Sequence, residues 1–134
     1  MKSAQSSQLQ PQSILVVDGE IISRYVIASY LRHCGYSVVE AANIDEAHIA
    51  IPHKDLSIDV ILFDVSTLGE DGGNQLTSWA KTHNPDLEIK LVGGVEMAAQ
   101  AAADLCKNGP HLKKPYEPDL VVKYIELLRS KLHA

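Results

Sequence analysis

Short, unbroken apolar runs alternate along the chain with longer stretches whose apolar residues recur at helical spacing, and this alternation constrains the fold more than any other feature. Ser13-Ile14-Leu15-Val16-Val17 has no polar alternate, the pattern of a strand covered on both faces. Asp18-Gly19-Glu20 stops it. From Glu20 to Cys34, Ile21, Ile22, Tyr25, Val26, Ala28 and Leu31 predict a helix, and Gly35 is placed to end it with a positive φ. Tyr36 to Ala41 predicts a second strand. Asn43 then caps a helix that opens Ile44-Asp45-Glu46, with acids in the favoured first turn, and ends around Pro52 or Asp55.

Ile58 to Phe63 is the most apolar stretch and predicts a buried strand with Asp64 at its exit. A loop containing Gly69, Gly72 and Gly73 leads to a helix from about Asn74 to Thr82, carrying Leu76 and Trp79. Leu87 to Val92 reads as a fourth strand, Met97 to Lys107 as an Ala-rich helix closed by Asn108-Gly109, and Pro110 to Lys113 as a fifth strand. Glu117 and Pro118 open a last helix, with proline where its missing N–H costs nothing. Strand–helix alternation of this kind gives parallel strands with helices on both faces. The expected fold is therefore a doubly wound α/β domain with a five-stranded parallel sheet in the order 2-1-3-4-5, a flavodoxin-like arrangement.

At 134 residues the chain suits one domain, 13–134, preceded by a Gln/Ser-rich lead-in over 1–12 that has little to bury. A hydrophobic content of 46% fits a packed core. The net charge of −5 and the lack of clustered Lys and Arg argue against a nucleic-acid surface. No apolar run approaches the roughly 20 residues of a membrane span, and the polar N-terminus does not resemble a signal peptide, so a cytoplasmic location is expected. Cys34 and Cys106 form no CxxC pattern and are expected as reduced thiols packed near helix ends.

In a doubly wound sheet, ligands bind at the C-terminal strand ends, beside the point where strand order reverses. Asp18 ends strand one, Asp64 ends strand three and Lys114 ends strand five. Each could simply end its strand and solvate the turn. Together, two neighbouring carboxylates and a lysine make a site for a hard cation and a phosphoryl group, because Mg²⁺ prefers oxygen ligands.

Ile14-Leu15-Val16-Val17-Asp18, Asp59-Val60-Ile61-Leu62-Phe63-Asp64, Asp71-Gly72, Gly109 and Lys114-Pro115-Tyr116 stand in an order and spacing that resembles the receiver domain of two-component response regulators, over residues 13–133. The resemblance implies that Asp64 is the phosphoacceptor and that Lys114 contacts the phosphoryl oxygens. It further implies Mg²⁺ held by Asp18, Asp64 and the backbone carbonyl of Ser66. The implied partners are a histidine kinase or phosphotransfer protein and a downstream protein. The downstream protein would meet the face built from the fourth helix, fifth strand and last helix. The domain would transfer signal rather than act as an enzyme.

Several positions depart from the family pattern. A second acid normally follows the first and ligates the metal, but Gly19 stands there, with Glu20 next in line. The Ser or Thr expected after strand four is Gly93, in Val92-Gly93-Gly94, so the switch hydroxyl is missing. The aromatic switch position in strand five matches His111, and the proline common after the acceptor is Leu68. Lys90 puts a charge inside a covered strand, where it needs a partner or a route to solvent. Two readings compete. The first is a single-domain receiver phosphorylated on Asp64, and the second a degenerate receiver that binds partners independently of phosphorylation. A small hydrolase using the same acids is a weaker third.

Overall fold

The computed structural model describes residues 13–108 and 117–132. Strands β1 (Ser13–Val17), β2 (Ser37–Ala41), β3 (Val60–Asp64) and β4 (Glu88–Val92) form one sheet in the order β2-β1-β3-β4, every pair parallel. Between and after them come α1 (Ile21–His33), α2 (Ile44–Ala50), the single turn α3 (Val65–Leu68), α4 (Glu70–His83), α5 (Val95–Asn108) and α6 (Pro118–Leu132). The sheet thus has four strands among the described residues where five were expected. The fifth, over 110–113, lies outside them, as do His111 and Lys114.

Side chains alternate across the pleat, so each strand feeds two cores. Leu15, Val17, Ile61 and Phe63 pack with Ala47, Ala50, Leu76 and Ala80 of α2 and α4. Ile14, Val16, Val60, Leu62 and Val92 pack on the opposite face with α1, α5 and α6. Helix α6 runs antiparallel to α1: Arg129 near its end bonds Glu20 before α1, whereas Leu120 and Tyr124 line a groove with Ser29 and His33 near α1's end.

Two caps follow the sequence expectation. Gly35 has φ +105°, and the Asn43 side chain accepts from the Glu46 amide at 2.9 Å. The Gly-rich stretch departs from it. Gly69, at φ +92°, separates α3 from α4, and Gly72 and Gly73 lie inside the helix rather than in a loop. A Cβ on Gly72 would come within 2.7 Å of Ile44 Cδ1, and one on Gly73 would stand 3.2 Å from Phe63, Leu91 and Val65 side-chain atoms. Close docking of the first turn of α4 against Phe63 requires these glycines, which outweighs their poor helix propensity.

The expectation of two reduced thiols is overturned. Cys34 at the end of α1 and Cys106 in the last turns of α5 form a disulfide, with Cα atoms 5.6 Å apart and a sequence separation of 72. Helices α1 and α5 lie side by side on one face, and both cysteines are fully buried at their contact.

Candidate acidic site and its family

Asp18 follows β1 and Asp64 is the last residue of β3; these strands are hydrogen-bonded neighbours, so both carboxylates emerge at one edge of the sheet. Both are buried, at 3% and 4% exposure. The predicted pairing of the two acids is therefore present. What surrounds them was not predicted.

Asp64 caps the turn α3. Its Oδ1 accepts from the Ser66 amide at 2.8 Å, the Ser66 hydroxyl at 2.6 Å and the Gly94 amide at 3.3 Å. Ser66 thus presents both its amide and its hydroxyl to Asp64. The same turn lays Thr67 over Asp18: its hydroxyl donates to Asp18 Oδ1 at 3.1 Å and accepts from the Gly19 amide at 2.9 Å. Asp18 also accepts from the Glu20 amide at 2.9 Å and, through Oδ2, from the Ser23 hydroxyl at 2.6 Å. Thr67 carries no sequence signal as a site residue: Asp64 is a helix-capping residue type, but that marks only the start of a turn.

Gly19 and Thr67 fit each other. A Cβ at Gly19 would meet Leu68 Cδ2 at 3.2 Å and Thr67 Cβ at 3.3 Å, so α3 occupies the space a second acid's side chain would need. Glu20 does not replace that acid, because its carboxylate makes a two-pronged ion pair with Arg129 of α6. This pairing holds Glu20 below the usual carboxylate range, and it is the first cause of the shift. Gly93 is different. A Cβ there would find only ordinary contacts with Val65 and Met97 at 3.7 and 3.8 Å, so the missing switch hydroxyl reflects the residue and not a lack of room. Lys90 pairs with Glu88 at 3.1 Å on β4, the outermost described strand.

A Mg²⁺ ion demands near-octahedral oxygen ligation and keeps several waters. Here both oxygens of Asp18 and Oδ1 of Asp64 accept hydroxyl and amide protons, and Gly19 supplies no carboxylate. No group of three His, Cys, Asp or Glu among the described residues could hold a metal. In this arrangement the residues do not fit a magnesium site.

Burial raises the pKa of Asp18, and the neighbouring Asp64 adds to the rise, against the lowering effect of bonds from Ser23, the Glu20 amide and Thr67. A carboxyl whose folded pKa exceeds its unfolded value weakens the folded state when it ionises. The penalty is present at neutral pH and is relieved as pH falls through the raised value, fully so below the ordinary 3.8. Asp18→Asn, whose amide can bond a rotated Ser23 hydroxyl, is expected to raise the urea midpoint at pH 7. Its advantage over the native chain should shrink as pH falls towards about 4; an advantage that does not change with pH would contradict this origin.

A sequence profile of the response regulator receiver domain matches residues 14–126. The chain belongs to that family. Among curated relatives, the receiver is 26% identical over 125 residues to the transcriptional regulatory protein AruR of Pseudomonas aeruginosa, covering 90% of this chain and 51% of that protein. It is also 35% identical over 79 residues to the two-component response regulator-like PRR37 of Oryza sativa subsp. indica, covering 59% of this chain and 10% of PRR37. The chain therefore spans about half of one relative and a tenth of the other. Among solved structures, a CheY-like response regulator receiver domain protein from Methanospirillum hungatei superposes with TM-score 0.56 at 24% identity, covering 92% and 98% of the two chains. NtrX from Brucella abortus gives TM-score 0.55 at 27% identity, covering 92% of this receiver and 28% of that chain.

Receiver domains serve two-component signalling through a phosphoacceptor and typically bind Mg²⁺ at the acidic site. They work with histidine kinases or phosphotransfer proteins and with downstream effectors. No helix among the described residues is long and apolar enough to cross a membrane.

Proposed function

We propose that this receiver signals by binding a partner protein, with its acidic site closed by its own hydroxyls rather than loaded by Mg²⁺-dependent phosphorylation. The observation that carries this reading is Thr67 on Asp18 and Gly19, with Ser66 on Asp64. Phosphoryl transfer rests on charge stabilisation around the transferred group, and Gly19 and Gly93 take from the site a second acid and the switch hydroxyl that would contribute to it. Partner binding is supported by apolar side chains left in solvent on α1 and α6: Ile21, Tyr25, Leu120, Tyr124 and Leu127 are each at least half exposed.

The second reading, phosphorylation of Asp64 with Lys114 contacting the phosphoryl group, keeps one specific support. The described hydrogen bonds to the Asp64 carboxylate all fall on Oδ1, and none on Oδ2. Intact mass after incubation with a small phosphodonor and Mg²⁺ separates the two. The closed site predicts an unmodified chain; one phosphoryl group mapped to Asp64 would overturn it in favour of the second reading.

A further inference from the structure

We propose that the Cys34–Cys106 disulfide is a redox clasp that holds α5 on the α1 face of the sheet, and that a dithiol reductant releases it. Three observations carry this. First, the bond joins the ends of two helices on one face: Cys34 caps α1, and Cys106 lies in the last turns of α5.

Second, α5 brings mostly small side chains to that core: Ala98, Ala99, Ala102 and Ala103 are buried, with Leu105 the one large aliphatic beside them, whereas α1 brings Ile22, Val26, Ile27 and Leu31. Alanines bury little apolar area each, so the covalent link carries a disproportionate share of the attachment. A further tie is the Tyr36 hydroxyl, which donates to the Leu105 carbonyl at 2.6 Å, one residue before Cys106.

Third, the clasp chooses between two faces. Helix α4, which leads into β4, packs with α2 on the opposite face from α1. A right-handed crossover that continued the sheet beyond β4 would place the following helix on the α4 face. A link to Cys34 forbids α5 that position. Reduction removes the prohibition. Because α6 packs with both α5 and α1 and pairs through Arg129 with Glu20 beside Asp18, release of α5 also loosens the contact that occupies Glu20. This holds whether or not Asp64 takes a phosphoryl group.

The chemistry is a two-electron exchange. A thiolate of the dithiol attacks one cysteine sulfur, the Cys34–Cys106 bond breaks, and the leaving thiolate takes up a proton. The reductant's second thiol then resolves the mixed disulfide, leaving two protein thiols and an oxidised dithiol. Both cysteines are buried, so attack waits on fraying of the last turn of α5, beside exposed Lys107.

The test uses the native chain purified without reductant. Alkylation under denaturing conditions should add no label before dithiothreitol and two labels after it. In the folded protein, dithiothreitol should accelerate amide exchange across 95–108 by about tenfold or more while β1 and β3 stay protected. Cys34→Ala/Cys106→Ala should show the fast exchange with or without dithiothreitol. Two labels before reduction would overturn the proposal, as would exchange across 95–108 that stays within about twofold on reduction.

Discussion

Gly19→Asp is expected to turn a chain that ignores Mg²⁺ into one that binds it and accepts a phosphoryl group on Asp64. The substitution restores the carboxylate that receivers carry after the first acid, beside Asp18 and across from Asp64. Gly19 lacks a positive φ, so the backbone accepts a side chain there. Its Cβ would press on Thr67 and Leu68 at 3.2 to 3.4 Å, and these belong to a one-turn helix that ends at Gly69, so they can yield. Moving them weakens the Thr67 bonds to Asp18 and Gly19, at a cost of about 1–3 kcal/mol in stability. An added carboxylate a few ångströms from a cation contributes several kcal/mol even at a protein-surface dielectric, so Mg²⁺ affinity should rise on the order of tenfold or more. Gly19→Asp/Asp64→Asn should bind no phosphoryl group. If Gly19→Asp binds Mg²⁺ no better than the native chain, the missing acid is not what closes the site.

Phe63→Ala is expected to cost about 3–5 kcal/mol, a large part of the 5–15 kcal/mol typical of a domain. Phe63 is fully buried, pairs with Val17 and Leu91 in register, and is the ring against which Gly72 and Gly73 set the start of α4. The cavity cannot close by local collapse, because β3 is fixed on both sides by β1 and β4. Urea denaturation with an unchanged slope measures the loss, and a shift below about 1 kcal/mol would mean that α4 repacks freely. Asp64 is the next residue, so the Ser66 and Gly94 amide resonances should move in the same variant.

The sequence made the sheet legible because covered strands are written as apolar runs, and strand order then brings Asp18 and Asp64 together without any knowledge of side chains. It misled where tertiary contact overrides local preference. Gly72-Gly73 reads as loop by propensity, yet helix α4 needs glycine there because Phe63 and Ile44 leave no room for a Cβ. Thr67 was invisible as a site residue because its role depends on a single turn of helix folding back over Gly19. The disulfide was invisible because its halves are 72 residues apart and meet only when α5 lies on the α1 face, opposite to where a right-handed crossover to a fifth strand would put it. Glu20 looked available as a substitute acid until α6 supplied Arg129 from 109 residues away.

The claim that Ser66 and Thr67 hold the acidic site closed is tested most directly by titrating the native, isotope-labelled chain with Mg²⁺. The amide resonances of Gly19, Glu20, Ser66 and Gly94 are the probes, since each of these amides donates to a group in the site. The closed site predicts no saturable movement up to about 10 mM, beyond the range of weak natural carboxylate sites for divalent ions. Saturable shifts at these amides below about 1 mM would show a formed metal site and contradict the account.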